Sequence, residues 1–178
     1  MFSGLSRLRL LSVLLTFVLV APPLGGSVSA RLTTPTASRQ LRGTTDLLHG
    51  VACASPNTCM AVGDITQGST RRGTIVRTTN GGRTWRSQTI GTTDDFLNGV
   101  ACASPSTCVV VGDILQGYTL RGMILRSTNG GRTWRSQTSG TPNFLYGVAC
   151  TSPSTCFAVG ARGTILRSTD GGNTWPSV

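Results

Sequence analysis

Six cysteines are the residues whose type and spacing most directly suggest chemistry. They fall into three pairs, and each pair brackets a short turn between two β-rich runs. A hairpin there would bring the two sulfurs within disulfide reach. Zinc is the alternative, but zinc ligands usually have shorter spacing and further histidines or cysteines, and the single histidine, His49, is not repeated. We favour three local disulfides and no metal site. The pairs, with none left over, are Cys53/Cys59, Cys102/Cys108 and Cys150/Cys156.

Carboxylates are the second group that could do chemistry. The chain has six aspartates and no glutamate. Asp64 and Asp113, with backbone carbonyls, could build a calcium site, and paired carboxylates could hydrolyse a glycosidic bond. The simplest interpretation is that these aspartates form turns, which their short side chains favour. We expect no cofactor.

The elements that position these residues are read from an internal repeat. A nearly identical segment, which ends in a Gly-Gly turn and a tryptophan, occurs at residues 77–85, 126–134 and 167–175. A matching Gly-Val-Ala-Cys lies upstream of each copy, and the tryptophans are 49 and 41 residues apart. A repeat of this length indicates one supersecondary unit stacked on copies of itself.

Each copy divides into four short strands. In the middle copy they are predicted at 96–103, 107–112, 122–127 and 133–138, with a Ser-Pro turn and an Asn-Gly-Gly turn between them. Four antiparallel strands repeated in this way describe a propeller blade. The sequence therefore predicts an all-β fold of three four-stranded blades, and the third copy nearly lacks its fourth strand.

The Gly-Gly turn resembles a known repeat. Ser168 to Trp175 matches the S-x-D-x-G-x-x-W pattern of the BNR or Asp-box repeat, which is found in sialidases and in photosystem II stability/assembly factor-like propellers. Thr78 replaces the first serine in one copy, and asparagine replaces the aspartate in two copies, where it can make the same local bonds. The resemblance implies structural turns at Asn80, Gly82, Trp85, Asn129, Gly131, Trp134, Asp170, Gly172 and Trp175.

The remaining repeat pattern looks most like the assembly-factor-like group over essentially all of residues 47–175. This likeness implies a protein-binding or assembly role, without implying photosynthesis. Sialidase chemistry needs a tyrosine beside a glutamate, but the chain has no glutamate, and Tyr118 and Tyr146 stand in dissimilar settings. We therefore expect a non-catalytic module. The alternatives are a sialidase-type glycoside hydrolase, a glycan-binding propeller, and a fragment of a longer propeller.

The domain organisation follows from the repeat and from the N-terminal residues. A basic start, an apolar run at 10–21 and small residues before position 31 are typical of a signal peptide. The apolar run is shorter than the roughly 20 residues of a membrane span, although an uncleaved anchor is the alternative. We predict a signal peptide at 1–30, a candidate closing strand within 31–46, and a blade domain at 47–178, with blades at about 47–90, 96–139 and 144–178.

Three blades fall short of the roughly four to eight that close a propeller ring. An open arc would leave two apolar blade faces bare, which soluble monomers rarely tolerate. The sequence thus predicts either a homo-oligomer, in which two chains complete one ring, or a truncated relative of a longer propeller.

Loop positions and charge predict a binding face. The loops between second and third strands and the connectors between blades, including Asp46, should share one end of the ring, where binding residues commonly lie. Without Arg7 and Arg9 the net charge is 14 − 6 = +8, which favours an acidic protein surface or an anionic glycan. The candidate binding face comprises Asp64, Arg71, Arg72, Asp94, Asp95, Asp113, Arg121 and Arg162.

Other partners are not expected. The chain has no recognisable nucleic-acid reading helix or aromatic stacking platform, and no stable membrane span is predicted. His49 is interpreted as a surface residue and the three tryptophans as blade-to-blade core. Paired cysteines and the signal peptide predict a secreted or extracytoplasmic location, in a periplasm or at a cell surface.

Overall fold

The computed structural model describes residues 47–68, 70–88, 90 and 95–176. The predicted signal peptide at 1–30, the candidate closing strand within 31–46, and the connector residues Asp46 and Asp94 lie outside the described residues. The described part of the chain is all β apart from a three-residue 3-10 turn at Ala161–Gly163.

Three antiparallel sheets follow one another along the chain, as the repeat predicts. In each sheet the strands are neighbours in sequence order, so every connection within a blade is a hairpin. Blade 1 consists of β1 (Leu47–Cys53), β2 (Cys59–Gln67), β3 (Thr70–Thr78) and β4 (Arg86–Gln88). Blade 2 consists of β5 (Asp95–Cys102), β6 (Cys108–Gln116), β7 (Thr119–Ser127) and β8 (Arg135–Gln137).

Blade 3 has three strands within the described residues: β9 (Leu145–Cys150), β10 (Cys156–Gly160) and β11 (Ile165–Ser168). Where a fourth strand would begin, the Arg167 amide donates to the Pro176 carbonyl oxygen over 3.5 Å. The all-β fold of repeated blades is confirmed, and blade 3 forms a three-stranded sheet within the described residues.

The second and third strands of blades 1 and 2 are longer than predicted. Blades 1 and 2 have more residues than blade 3 between these two strands. Instead of forming the expected loops, these residues continue the ladder to Gln67↔Thr70 and Gln116↔Thr119. Each ladder ends in a tight turn that has a glycine at positive φ, Gly68 or Gly117, a conformation that glycine adopts without steric cost. We call these two extensions, residues 64–73 and 113–122, the hairpin arms.

The three predicted disulfides are present. The sulfurs of Cys53 and Cys59 are 2.06 Å apart, and the other two bridges close Cys102–Cys108 and Cys150–Cys156. In every pair the two cysteines are direct cross-strand partners of the first and second strands. Each bridge therefore closes the turn of one hairpin.

The Gly-Gly turns share one hydrogen-bond pattern. The Ser168 hydroxyl donates to Asp170 Oδ1 (2.8 Å) and accepts the Gly172 amide (2.8 Å), while Asp170 Oδ1 also accepts the Thr174 amide (2.9 Å). The same bonds recur in the asparagine copies, centred on Asn80 and Asn129. Asparagine therefore replaces aspartate in this turn, as the sequence predicts.

Apolar side chains between neighbouring blades form the core. One cluster joins Met60, Val62 and Ile75 of blade 1 to the facing side of blade 2, and Trp134 packs against it. The second joins the other side of blade 2 to blade 3 and contains Trp175, which is 4 % exposed. Since each blade covers its neighbour's apolar face, packing across the junctions holds the arc together.

Candidate functional site

The loops sort to two ends of each blade. The Gly81, Gly130 and Gly171 amides each donate to a carbonyl oxygen of the turn between the first two strands of their own blade. The Ser-Pro and Gly-Gly turns therefore share one end. Residues of the second hairpin arm and residues 138–142, which connect blade 2 to blade 3, line one groove. The arm and this connector therefore lie together, at the end of the blade opposite these turns.

Asp64 is buried in strand β2, although we expected it in an exposed loop. It is 1 % exposed, and its Oδ2 pairs with the Arg71 guanidinium at 2.5 Å. The Arg71 guanidinium also lies 5.0 Å from the centre of the Phe96 ring in blade 2, within the range of a cation–π contact. The pair thus joins the first arm to the next blade.

Asp113 occupies the corresponding position in β6 and is likewise buried. Its Oδ1 accepts the Leu145 amide of blade 3 (3.1 Å), and its Oδ2 accepts the Asn98 amide group (3.1 Å). Burial raises the pKa of Asp113, against the lowering effect of these two hydrogen bonds, and the negative charge of Asp64 raises it further. This carboxylate therefore serves a junction between blades and is not a free ligand at the surface.

Two polar residues that the sequence analysis did not assign to the site complete the junctions. The ladder between first and second strands skips His49 in blade 1, Asn98 in blade 2 and Tyr146 in blade 3, which marks a β-bulge in each blade. Asn98 Nδ2 donates to the Leu145 carbonyl oxygen (2.8 Å), and His49 Nδ1 donates to that of Leu97 (3.1 Å).

His49 is exposed, in agreement with its interpretation as a surface residue. Its ring also joins blade 1 to blade 2, and its Nε2 lies 3.7 Å from Asp64. A signal for this role exists in the repeats. Blades 1 and 2 have a polar bulge residue together with a Gly-Asp sequence, whereas blade 3 has Tyr146 with Gly160-Ala161. The polar residue and the aspartate are thus present together or missing together.

Asp95, the third described carboxylate of the predicted face, is fully buried at the start of β5. In contrast, the arginines of the predicted face are all exposed, namely Arg71, Arg72, Arg121 and Arg162. The structure therefore places the positive members of the predicted face on the surface and its described negative members inside.

We use the name arm face for a set of exposed side chains at this end that leaves out Arg71, which pairs with Asp64. It consists of Arg72 and Arg121 on the two arms, Arg162 in the 3-10 turn of blade 3, and the fully exposed Tyr118 at the tip of the second arm. Arg162 has a positive φ of 55°. The arm face thus combines three cations with one aromatic ring, a combination suited to an acidic chain that carries apolar side chains.

A groove of about 540 Å³ runs beside the second arm. Its walls come from Ile114, Gln116 and Arg121 of the arm and from Gln137 of the outer strand, and its floor includes the connector at 138–142. Polar groups (amide, hydroxyl and guanidinium) and apolar groups contribute about equally to the lining. The groove therefore offers hydrogen-bond donors and one cation to an extended segment.

At the opposite end, Arg77 and Arg126 serve the junctions. Arg77 Nε donates to the Gly130 carbonyl oxygen (2.6 Å) and Arg126 Nε to that of Gly171 (2.8 Å), each in the following blade. Burial lowers the pKa of Arg77, and the nearby charge of Arg132 lowers it further. Arg83 and Arg132 remain exposed in the turns at this end.

Metal ligands do not gather in the described part of the chain: no three His, Cys, Asp or Glu side chains there lie close enough to share an ion. Within the same residues, no helix has the length and apolarity to cross a bilayer. The three disulfides are of the kind that persists in oxidising compartments.

Solved structures resemble this chain in fold. YCF48 bound to a D1 peptide is 20% identical over 75% of this chain, with a TM-score of 0.60, and YCF48 from Cyanidioschyzon merolae is 21% identical over 75%, with a TM-score of 0.55. The GH74 xyloglucanase of Xanthomonas campestris is 17% identical over 74%, with a TM-score of 0.52. No protein-family model and no curated protein matches the chain.

These matches support a β-propeller architecture. The chain spans 40%, 37% and 21% of the lengths of the three proteins, respectively. At such low identity the likeness concerns the fold, because one propeller scaffold carries many unrelated functions.

Proposed function

We propose that this chain is an exported, non-catalytic propeller module that binds an acidic protein segment through the arm face. We further propose that its blades are of the Asp-box type and that it is similar in role to photosystem II assembly factor-like propellers. Its location would be extracytoplasmic, in a periplasm or outside the cell, which the three disulfides support.

The main support for the proposal is that the described aspartates of the predicted face are buried while its arginines are exposed. Asp64, Asp95 and Asp113 are buried, and Asp170 is bound within its own turn. The arginines of the arm face are exposed, whereas the described aspartates at this end are buried, so the arm face presents positive charge to solvent. Such a surface attracts acidic partners and accelerates their association.

The shape of the arm face favours a polypeptide over a small anion. The groove beside the second arm is long enough to be lined by strand, connector and arm residues together, and Tyr118 supplies an apolar contact near its cations. A propeller of the same fold has been solved with a peptide bound, which supports peptide binding as a use of this scaffold.

Binding of a fluorescent polyglutamate peptide, followed by anisotropy, tests the proposal. We expect measurable affinity that weakens as salt rises. In the double variant Arg72→Glu/Arg121→Glu, affinity should fall at least tenfold, because two attractive contacts become repulsive. The matched control Arg83→Glu/Arg132→Glu makes the same charge change at corresponding positions of the opposite end and should retain most of the affinity.

Equal losses in the two double variants would show that net charge alone drives binding and would overturn the arm face as the site. Preference for a sulfated oligosaccharide such as heparin over the peptide would overturn a protein partner in favour of an anionic glycan. Peptides with acidic and aromatic residues should bind more tightly than polyglutamate if Tyr118 takes part.

Glycoside hydrolysis receives no support from the described carboxylates, because those of Asp64 and Asp113 are engaged at blade junctions. Fluorogenic glycosides incubated with the oxidised protein give the direct test. Turnover that disappears in Asp64→Asn or Asp113→Asn, with the fold retained, would overturn the non-catalytic assignment.

A further inference from the structure

The two junctions of the arc repeat the same contacts. Arg77 of blade 1 reaches the Gly130 carbonyl oxygen of blade 2, and Arg126 of blade 2 reaches that of Gly171 in blade 3. The next glycine of each turn accepts an apolar side chain from the preceding blade. A Cβ on Gly131 would collide with the Met60 sulfur.

Blade 3 carries the leading half of a third junction. Arg167 corresponds to Arg126 by the repeat and is exposed. Val159 and Ile165 correspond to Val111 and Ile124, which are fully buried against blade 3. On blade 3 itself these two side chains are 48% and 53% exposed. The donor and the apolar surface of a junction are thus present, and no blade covers them in the described part of the chain.

Blade 1 carries the receiving half. Leu48 and Val51 are 52% and 67% exposed, although the corresponding Leu97 and Val100 of blade 2 are buried under blade 1. The turn of blade 1 is also open: a Cβ on Gly82 would meet nothing closer than Trp85 Nε1 at 3.9 Å. This is the place that Met60 fills above Gly131.

We propose that a second copy of this chain docks blade 1 onto blade 3 and continues the existing junctions across the two subunits. Arg167 then donates to the carbonyl oxygen of the partner subunit's Gly81, and Phe157 lies over the partner subunit's Gly82. Val159 and Ile165 pack against the face that bears the partner's Leu48 and the partner's Val51. This inference does not depend on the proposed function.

The number of copies follows from the number of blades. Closed propellers have roughly four to eight blades, and two copies of three blades give six. Three copies would exceed that range. In a head-to-tail ring of two copies, blade 3 of each chain packs on blade 1 of the other. Both exposed apolar faces of each chain are then removed from water.

The mass of the full chain, exported so that its cysteines oxidise, tests this proposal by light scattering after size exclusion and by sedimentation. We expect a mass of two subunits. Ile165→Glu and Val51→Glu should each yield monomers, because a carboxylate would be buried in the new junction. The matched control, Tyr118→Glu on the second arm, should remain dimeric.

Mixing the two monomeric variants distinguishes a head-to-tail contact from a symmetric one. In the mixture, the unaltered blade 3 of the Val51→Glu chain can meet the unaltered blade 1 of the Ile165→Glu chain, while the other junction carries both glutamates. Dimers held by the one unaltered junction should therefore return, with weaker affinity than the wild-type dimer. Arg167→Ala, a change in an exposed side chain, should weaken the dimer about tenfold or more through loss of one charge-assisted hydrogen bond.

A wild-type chain that remains monomeric at the highest soluble concentration would overturn the proposal. This holds whether residues 31–46 of the same chain cover the exposed faces of blades 1 and 3 or those faces stay uncovered. Dimers that survive both glutamate changes would do the same. If mixing restores no dimer, the head-to-tail arrangement is wrong. The milder Arg167→Ala variant keeps the test informative if a glutamate variant does not fold.

Discussion

Asp113 of the second blade accepts a hydrogen bond from the main-chain amide of Leu145 in the third blade, over 3.1 Å. The Asn98 side chain donates to the other carboxylate oxygen and to the Leu145 carbonyl oxygen, so both polar groups of the Leu145 backbone are bound from blade 2. An aspartate predicted to face a ligand thus holds two blades in register.

Replacement of Asp113 by Asn should destabilise the protein by about 1–3 kcal/mol, because one carboxylate oxygen becomes an N–H donor that faces another donor. Urea unfolding monitored by tryptophan fluorescence measures this change. Asn98→Ala should cost a similar amount by leaving Asp113 and the Leu145 carbonyl oxygen with one bond fewer. Full stability in both variants would contradict the role assigned to this junction.

Acid should weaken the last Gly-Gly turn through Asp170. Desolvation opposes the shift, but hydrogen bonds from the Thr174 amide and hydroxyl, the Ser168 hydroxyl and the Asn173 amide together lower the pKa of Asp170 from 3.8 to about 2. A group with a depressed folded-state pKa contributes stability above its unfolded pKa and loses it as pH falls through the folded value.

We therefore expect the Asp170→Asn variant to lose less stability than wild type as the pH falls from about 4 to about 2. At neutral pH the variant should stay close to wild type, since Asn80 and Asn129 form the same turn. Urea midpoints over this pH range, compared with those of wild type, make the measurement. An unchanged pH profile would show that Asp170 does not contribute to acid sensitivity.

Removal of the middle disulfide should cost more than removal of the first. In the chain-entropy model each small loop contributes about 2 kcal/mol. Cys108 is also fully buried in the core cluster between blades 1 and 2, so Cys102→Ala/Cys108→Ala loses packing as well. Cys53→Ala/Cys59→Ala is the matched control. Equal losses of unfolding free energy under oxidising conditions would contradict this order.

Gly131→Ala should separate packing between blades from backbone strain. Gly131 and Gly81 have φ values of 79° and 68°, so alanine is strained at either position. At Gly131 the new methyl group also meets the Met60 sulfur of blade 1, whereas at Gly81 its nearest neighbour is Asn57 Oδ1 at 3.7 Å.

We expect Gly81→Ala to cost about 1 kcal/mol and Gly131→Ala about 1–3 kcal/mol more, in line with overpacked cores. Denaturant midpoints of the two variants give the comparison. The additional loss should shrink when Met60 is shortened to alanine in the Gly131→Ala background. If the additional loss of stability persists, the contact between the new methyl group and Met60 is not its cause.

The repeat by itself determined the blades, the cysteine pairing and the Gly-Gly turns, because each depends on residues close together in sequence. Cys102 and Cys108 meet across one hairpin, and Asn129 bonds within its own turn. Local geometry decides such features, and three copies of the same pattern remove most ambiguity.

Only the tertiary structure decided where Asp64, Asp113 and His49 lie. The partner in the next blade is 48 residues away for His49 and 32 residues away for Asp113. Asp64 pairs with Arg71 across an arm whose inserted residues continue a ladder instead of forming a loop. Whether a carboxylate faces water or a backbone amide depends on how one blade rests on the next. That contact joins residues whose separation in the chain carries no local signal.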